Sequence, residues 1–318
     1  MRNIWRDGVL GVVTGDALGC PVQFRSREAV AKDPVTGMRG HGTFDLPAGS
    51  WTDDSSLTLA LLDSIRRTHG IDLKDIMANF VRWLYHGAFT PYGTAYDIGF
   101  GTQDAIRRYR LDGDPLRCGG RSEDNNGNGS LMRILPACLY CAEQGLDDGE
   151  TVRIIHEVGS LTHGHLRANI ACGLYGFMVK AILGEDGDLP VRLQAGLDRG
   201  FAWYDARQDA AEELRYFVSL RDLGAFARTP ADQIESTGYV VDTLEAAVWS
   251  LITTDSYEHA LLKAVNLGLD TDTVGAVAGG LAGLYYGADA IPAAWLDALQ
   301  RRAWIESLCT GEKPASDE

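Results

Sequence analysis

Apolar residues recur along most of the chain at intervals of three and four, and strict alternation is rare. After Asp54 they fall at Leu57, Leu61, Leu62 and Ile65. In DLKDIMANFVRWLYHG, Ile76, Phe80, Val81 and Leu84 share one stripe, and in VVDTLEAAVWSLITT Leu244, Ala247, Val248, Leu251 and Ile252 do the same. Side chains three or four apart lie on one face of a helix, so these segments read as amphipathic helices. Alternating strands joined by hairpin turns are scarce. The pattern predicts an all-α fold, a compact single-domain orthogonal bundle of helices without a short sequence repeat.

Two segments carry glycine instead of bulk on one face. Gly275, Gly279, Gly283 and Gly287 repeat every fourth position, and Gly8, Gly11, Gly15 and Gly19 nearly so. Glycine weakens a helix by about 1 kcal/mol against alanine, so such stripes make sense where another backbone comes close. Both helices are expected to lie centrally and against each other. No Pro- or Ser-rich linker divides the chain, which reads as one domain over 1–308 with a polar tail over 309–318. Residues 184–238 look least regular and are expected to form an insertion or lid.

Composition narrows the partners. The chain has 318 residues, 44 acids against 29 bases and a formal charge of −15. Without a basic stripe, nucleic acid is disfavoured as a partner. Six cysteines scattered through a chain of this size read as reduced thiols of a cytoplasmic protein. Cys138 and Cys141 are read as small core residues one turn apart. No stretch reaches the roughly 20 uncharged apolar residues that span a membrane, so no membrane partner is expected.

The chemistry gathers in two short acidic segments. GLDTDTVGAVAGGLAG puts Asp270, Asp272 and Thr273 ahead of an apolar helix, and GSWTDDSSLTLALL puts Thr52, Asp53 and Asp54 in the same position. Either pair could simply cap its helix and oppose its dipole. Taken together they offer four carboxylates and two hydroxyls. Oxygen donors without His or Cys suit Mg²⁺, Mn²⁺ or Ca²⁺, and four carboxylates in one pocket call for cations. Between them NNGNGSLMRILPA makes a small polar loop before a helix, a place where backbone N–H groups can receive phosphate. LTHGH adds His163 and His165.

These segments, GDALG (15–19), WTDDS (51–55), NGNGSLMRILP (126–136), LTHGH (161–165) and LDTDTVGAVAGGLAG (269–283), resemble in order those of the ADP-ribosylglycohydrolase family. The resemblance spans about residues 8–287. It implies the compact helical fold of that family with two Mg²⁺ or Mn²⁺ ions. The metal ligands by position are Thr52, Asp53, Asp54, Asp270, Asp272 and Thr273. Asn128, Gly129, Ser130 and His163 are implied to line the ADP-ribose cleft, with Asp16 close by and Phe24 bounding it. The implied activity is hydrolysis of the bond joining ADP-ribose to an ADP-ribosylated protein substrate, above all at arginine, with ADP-ribose as product. Asp53, Asp54 and Asp272 are the candidates for acid or base, without a choice among them.

Two positions depart from the family pattern. After GDALG many members have P-x-E-F, where this chain has Gln23. Gln cannot transfer a proton, which leaves the work to the aspartates or to Glu28, or leaves activity reduced. Leu269 stands where a second glycine is common. Alternatives at the same site are serine-linked ADP-ribose, O-acetyl-ADP-ribose or another modified acceptor, with 88–100 and 117–126 as the loops that choose. A binding protein without turnover and a phosphohydrolase releasing AMP are further alternatives.

Overall fold

The computed structural model describes residues 3–311. Residues 312–318, most of the expected polar tail, lie outside the described residues. Among the described residues every regular element is helical, and the β-type pairings are two isolated bridges, Gly120 with His163 and Gly127 with Tyr239. The three helices read from apolar spacing run Asp53–Thr68, Leu73–His86 and Val240–Ile252.

The glycine stripes meet at the centre of the fold. Helices Ile4–Gly19 and Thr271–Tyr286 share a more extensive interface than any other pair. A Cβ on Gly11 would collide with the carbonyl of Gly279, and one on Gly15 with that of Gly275. Gly19 likewise abuts the backbone of Thr271 and Asp272. The two helices therefore touch backbone to backbone, which only the bare α-carbon permits. The stripe ends where it stops serving that contact: Gly8 faces the side chains of Leu135 and Leu284, and Gly287 closes its helix at φ +89°. Thr271 Oγ1 donates to the Gly19 carbonyl at 2.8 Å, fixing the start of one helix at the end of the other.

Three expectations change on the structure. Segment 184–238 begins with a regular helix, Leu189–Asp205, packed on helix Leu166–Gly184; only the stretch beyond Asp205 is broken into short turns. The last helix, Arg302–Thr310, runs into the expected tail and buries Cys309. Leu166–Gly184 is long and apolar enough to cross a membrane, but 83% of its apolar window is covered by the rest of the protein, as befits a core helix. All six cysteines are free and buried, Cys138 and Cys141 one turn apart within Leu135–Glu143.

Candidate active site

The two acidic segments are brought together, and they are not caps. Asp270 and Thr52 occupy the N-cap positions of their helices, yet neither side chain makes a capping hydrogen bond. Asp72, Asp147, Asp188 and Asp222 all cap other helices in the ordinary way, accepting from backbone N–H groups. Asp270 Oδ2 instead accepts from Asn128 Nδ2 at 2.6 Å. Thr52 Oγ1 lies 3.1 Å from Asp16 Oδ1 and 3.3 Å from Asp54 Oδ2. Thr273 Oγ1 reaches across from the other helix to within 3.5 Å of Asp54 Oδ2.

The electrostatics leave this cluster incomplete. Asp53, Asp54, Asp270 and Asp272 are each no more than 9% exposed. Asp54 Oδ1 and both oxygens of Asp272 are buried with no hydrogen-bond partner. Burial raises the pKa of Asp53, Asp54 and Asp272 well above the usual carboxylate range, and repulsion among the acids adds to it. The residues lining the cleft include no lysine or arginine to offset that charge. Orphaned buried carboxylate oxygens are costly unless something positive meets them. Oxygen donors on short side chains fit hard divalent cations.

One compact group of metal-ligating atoms lies elsewhere and has another explanation. Glu123, His165 and Glu213 bring their ligand atoms within 4.8 Å of one another. The Arg167 guanidinium already joins them, 2.7 Å from Glu123 and 2.7 Å from Glu213, and stacks on Tyr216. A cation is thus built into that group. It ties the broken segment after Asp205 to the loop before Asn125.

The aspartates open into a cleft of about 230 Å³. Asp53, Asp54, Asp270 and Thr273 line it, with Asn128, Gly129 and His163 on one wall. Thr52 and Asp272 lie below, 1% and 0% exposed. Two residues expected at the cleft are a layer deeper. Asp16 is fully buried and accepts from the backbone N–H and hydroxyl of both Thr52 and Ser55, so it fixes the start of helix Asp53–Thr68. Burial pushes its pKa up to about 7 against those donors. Ser130 is also fully buried, with Cys172 Sγ 3.5 Å from its hydroxyl. The Asn–Gly loop is no open N–H cradle at Asn128, whose N–H donates to the Gly238 carbonyl at 3.0 Å.

Asp97 is the acidic cleft residue that sequence reasoning missed. It lines the cleft, and Gln23 Nε2 donates to its Oδ2 at 2.8 Å. Burial raises its pKa. Gln23 itself is 3% exposed. Glu28 sits exposed on the short helix Arg27–Lys32 and does not line the cleft, so it does not stand in for the absent glutamate. A signal for Asp97 was present in YDIGFG, a lone acid among glycines in a loop already marked as choosing the acceptor. The rim is backbone-strained: Phe24, Asp97 and Leu269 have φ of +64°, +52° and +61°. Leu269 thus holds a left-handed conformation that glycine adopts freely, which explains the glycine common there. Phe24 N–H donates to the Leu269 carbonyl, and Leu269 N–H to that of Arg25, at 2.6 and 2.7 Å.

A family model for ADP-ribosylglycohydrolase matches residues 2–315. The chain belongs to this family. It is 32% identical over 295 residues to the ADP-ribosyl-dinitrogen reductase glycohydrolase of Rhodospirillum rubrum, covering 92% of this chain and 89% of that one. It is 31% identical over 303 residues to ADP-ribosylarginine hydrolase Tri1 of Pseudomonas putida (strain GB-1), covering 95% of this chain and 75% of the relative. A solved structure described as an ADP-ribosylglycohydrolase-related protein complex superposes with a TM-score of 0.78 at 32% identity, covering 97% of this chain and 96% of that one. In this ADP-ribosylglycohydrolase the two acidic motifs converge at one end of the central helix pair, and the NGNG and THGH motifs supply the wall beside them.

Proposed function

We propose that this protein is a divalent-metal-dependent hydrolase that cleaves the glycosidic bond between ADP-ribose and an arginine side chain of a modified protein. The observation that carries the reading is the set of partnerless oxygens on Asp54 and Asp272 beneath an acidic cleft. Asp53, Asp54, Asp270, Asp272, Thr52 and Thr273 would hold two Mg²⁺ or Mn²⁺ ions. When bound, such ions orient the ribose hydroxyls and a water and offset negative charge.

The chain's own groups supply the rest. Cleavage at the ribose carbon builds oxocarbenium character, which flanking carboxylates stabilise, and the departing nitrogen must take a proton. Asp97 is placed for that proton. Gln23 donates to one of its oxygens, Asp272 lies within hydrogen-bonding reach of it, and burial favours the protonated form. Asp272 does not line the cleft, which leaves Asp53 and Asp54, with Asp270 beside them, as the carboxylates facing the ribose. A cleft lined by acids and free of lysine or arginine suits a cationic guanidinium better than a neutral hydroxyl. Relatives named for arginine hydrolysis support the same acceptor.

The test is release of ADP-ribose from matched arginine-linked and serine-linked peptides, with Mg²⁺ and with EDTA. Metal-dependent release from the arginine peptide, lowered at least a hundredfold in Asp97→Asn, is expected. Release of AMP, or ADP-ribose binding without turnover of either peptide, would overturn it.

A further inference from the structure

Arg133 is fully buried, yet only its Nη2 makes hydrogen bonds: to the carbonyls of Val158 at 3.2 Å and Gly159 at 3.5 Å, and to Thr162 Oγ1 at 2.8 Å. Its Nε and Nη1 are buried without a hydrogen-bond partner, and the guanidinium lies 4.8 Å over the Phe80 ring. A cation buried with two donors unmatched opposes folding, so its one side-chain hydrogen bond calls for an explanation.

That bond leads to the cleft. Thr162 Oγ1 also lies 2.9 Å from Nδ1 of His163. A guanidinium only donates, so the threonine oxygen accepts from Arg133. Its own hydrogen then needs an acceptor in a site where Thr162 is 1% exposed, and His163 Nδ1 supplies it. With Nδ1 accepting, a neutral imidazole carries its proton on Nε2. Burial, with the Arg133 charge adding to it, pushes the His163 pKa down to about 3, so the ring is neutral at pH 7. Nε2 faces the cleft wall: Cβ atoms built on Gly101, Gly129 and Gly127 would lie 3.1, 3.2 and 3.5 Å from it. Those three glycines leave the ring edge uncovered.

We infer that Arg133 and Thr162 are positioning residues that lock His163 as its Nε2–H tautomer and so give the cleft wall a neutral hydrogen-bond donor for an oxygen of the bound ADP-ribose. The identity of the ligand rests on the function proposed above; the relay does not. The opposite tautomer would turn a lone pair toward an anionic ligand. A protonated ring would set a second buried positive charge beside Arg133, which burial and that charge both disfavour.

The experiment reads the tautomer directly. Two-bond ¹H–¹⁵N spectra of the whole, ligand-free protein, with the His163 signals assigned by their loss in His163→Gln, should show Nε2 protonated and Nδ1 bare. In Thr162→Val the ring should populate both tautomers, and ADP-ribose should bind about tenfold more weakly, the loss of one hydrogen bond to a charged acceptor. Thr162→Ser should restore both readouts. A wild-type His163 protonated on Nδ1 overturns the inference without any variant having to fold. So does Thr162→Val with tautomer and affinity unchanged. Failure of the wild type to bind ADP-ribose would sink the functional reading alone, because the ligand-free spectrum is independent of it.

Discussion

Replacing Asp272 with asparagine separates a metal ligand from a carboxylate that merely holds the fold. Asp272 is fully buried, both its oxygens lack partners, and Asp270 and Asp54 repel it. Burial and those neighbours hold its pKa above the unfolded value, so its contribution to stability is present at acid pH and lost as pH rises. At neutral pH without metal the carboxyl is therefore a liability. Asparagine removes the charge, and its amide can donate to a neighbouring carboxylate. Relieving one unsatisfied buried acceptor and gaining one charge-assisted hydrogen bond is worth about 2–3 kcal/mol together. In a chain of this size that raises the melting temperature by about 3–5 °C. Saturating metal should act the other way round: at a hundred times Kd it stabilises the wild type by about 2.7 kcal/mol and the variant by far less. The assay is thermal melting of both proteins in EDTA and in Mg²⁺ or Mn²⁺. The order of the two melting temperatures should narrow or reverse on adding metal. A variant less stable than wild type in EDTA, with the same increment from metal, would refute the reasoning and make Asp272 structural.

Gly15→Ala should cost about 3 kcal/mol, because its Cβ meets the Gly275 carbonyl, whereas Gly184→Ala, with open space around it, should be neutral or slightly stabilising; urea unfolding compares them. His156 is held neutral by burial, its pKa down at about 4 from 6.5, with Nε2 2.7 Å from the Tyr204 hydroxyl. Because the unfolded chain takes up that proton first, stability should fall as pH drops from 6.5 toward 4, by up to about 1.4 kcal/mol per pH unit from this residue. His156→Gln should flatten that slope in denaturant midpoints taken across the window; an unchanged slope would assign the acid sensitivity elsewhere. Gln23→Ala should lower kcat about tenfold with little change in melting temperature, since it frees Asp97 from one hydrogen bond; a Gln23→Ala enzyme as fast as wild type would remove Gln23 from the positioning of Asp97.

Much of the architecture was legible because it is written in periods. Apolar spacing located the helices around the site, and the two glycine stripes forecast a central pair in backbone contact, since nothing else makes glycine useful at every fourth position of a helix. The acidic clusters were legible as to chemistry but open as to role. Capping and metal binding call for the same residues at the same helix starts, and only the missing cap hydrogen bonds at Thr52 and Asp270 divide them. Depth was illegible. Asp16 and Ser130 belong to the right motifs but point beneath the cleft, because the motif fixes a residue's position on its helix and not which layer its side chain enters. Asp97 was hidden for the converse reason. It is an isolated acid in an irregular loop, brought to Gln23 and the other aspartates only when the chain folds. Leu189–Asp205 was readable, since Leu189, Leu193, Leu197 and Phe201 recur every fourth position, but the loop-like GEDGDLP before it concealed the start.

The central helix pair has a consequence for how this site ages in evolution. Side-chain cores set distances through the sizes of many residues, and each substitution shifts them by a fraction of an ångström. Here the helix that begins with Asp270, Asp272 and Thr273 is spaced by peptide groups, Gly11 on Gly279 and Gly15 on Gly275, from the helix whose Asp16 anchors the start of the other acidic segment. That gauge has no adjustable part: drift in the surrounding hydrophobic residues leaves it unaltered, while a single methyl group on the seam shifts Asp270–Thr273 against Asp16 and the acidic segment that Asp16 anchors.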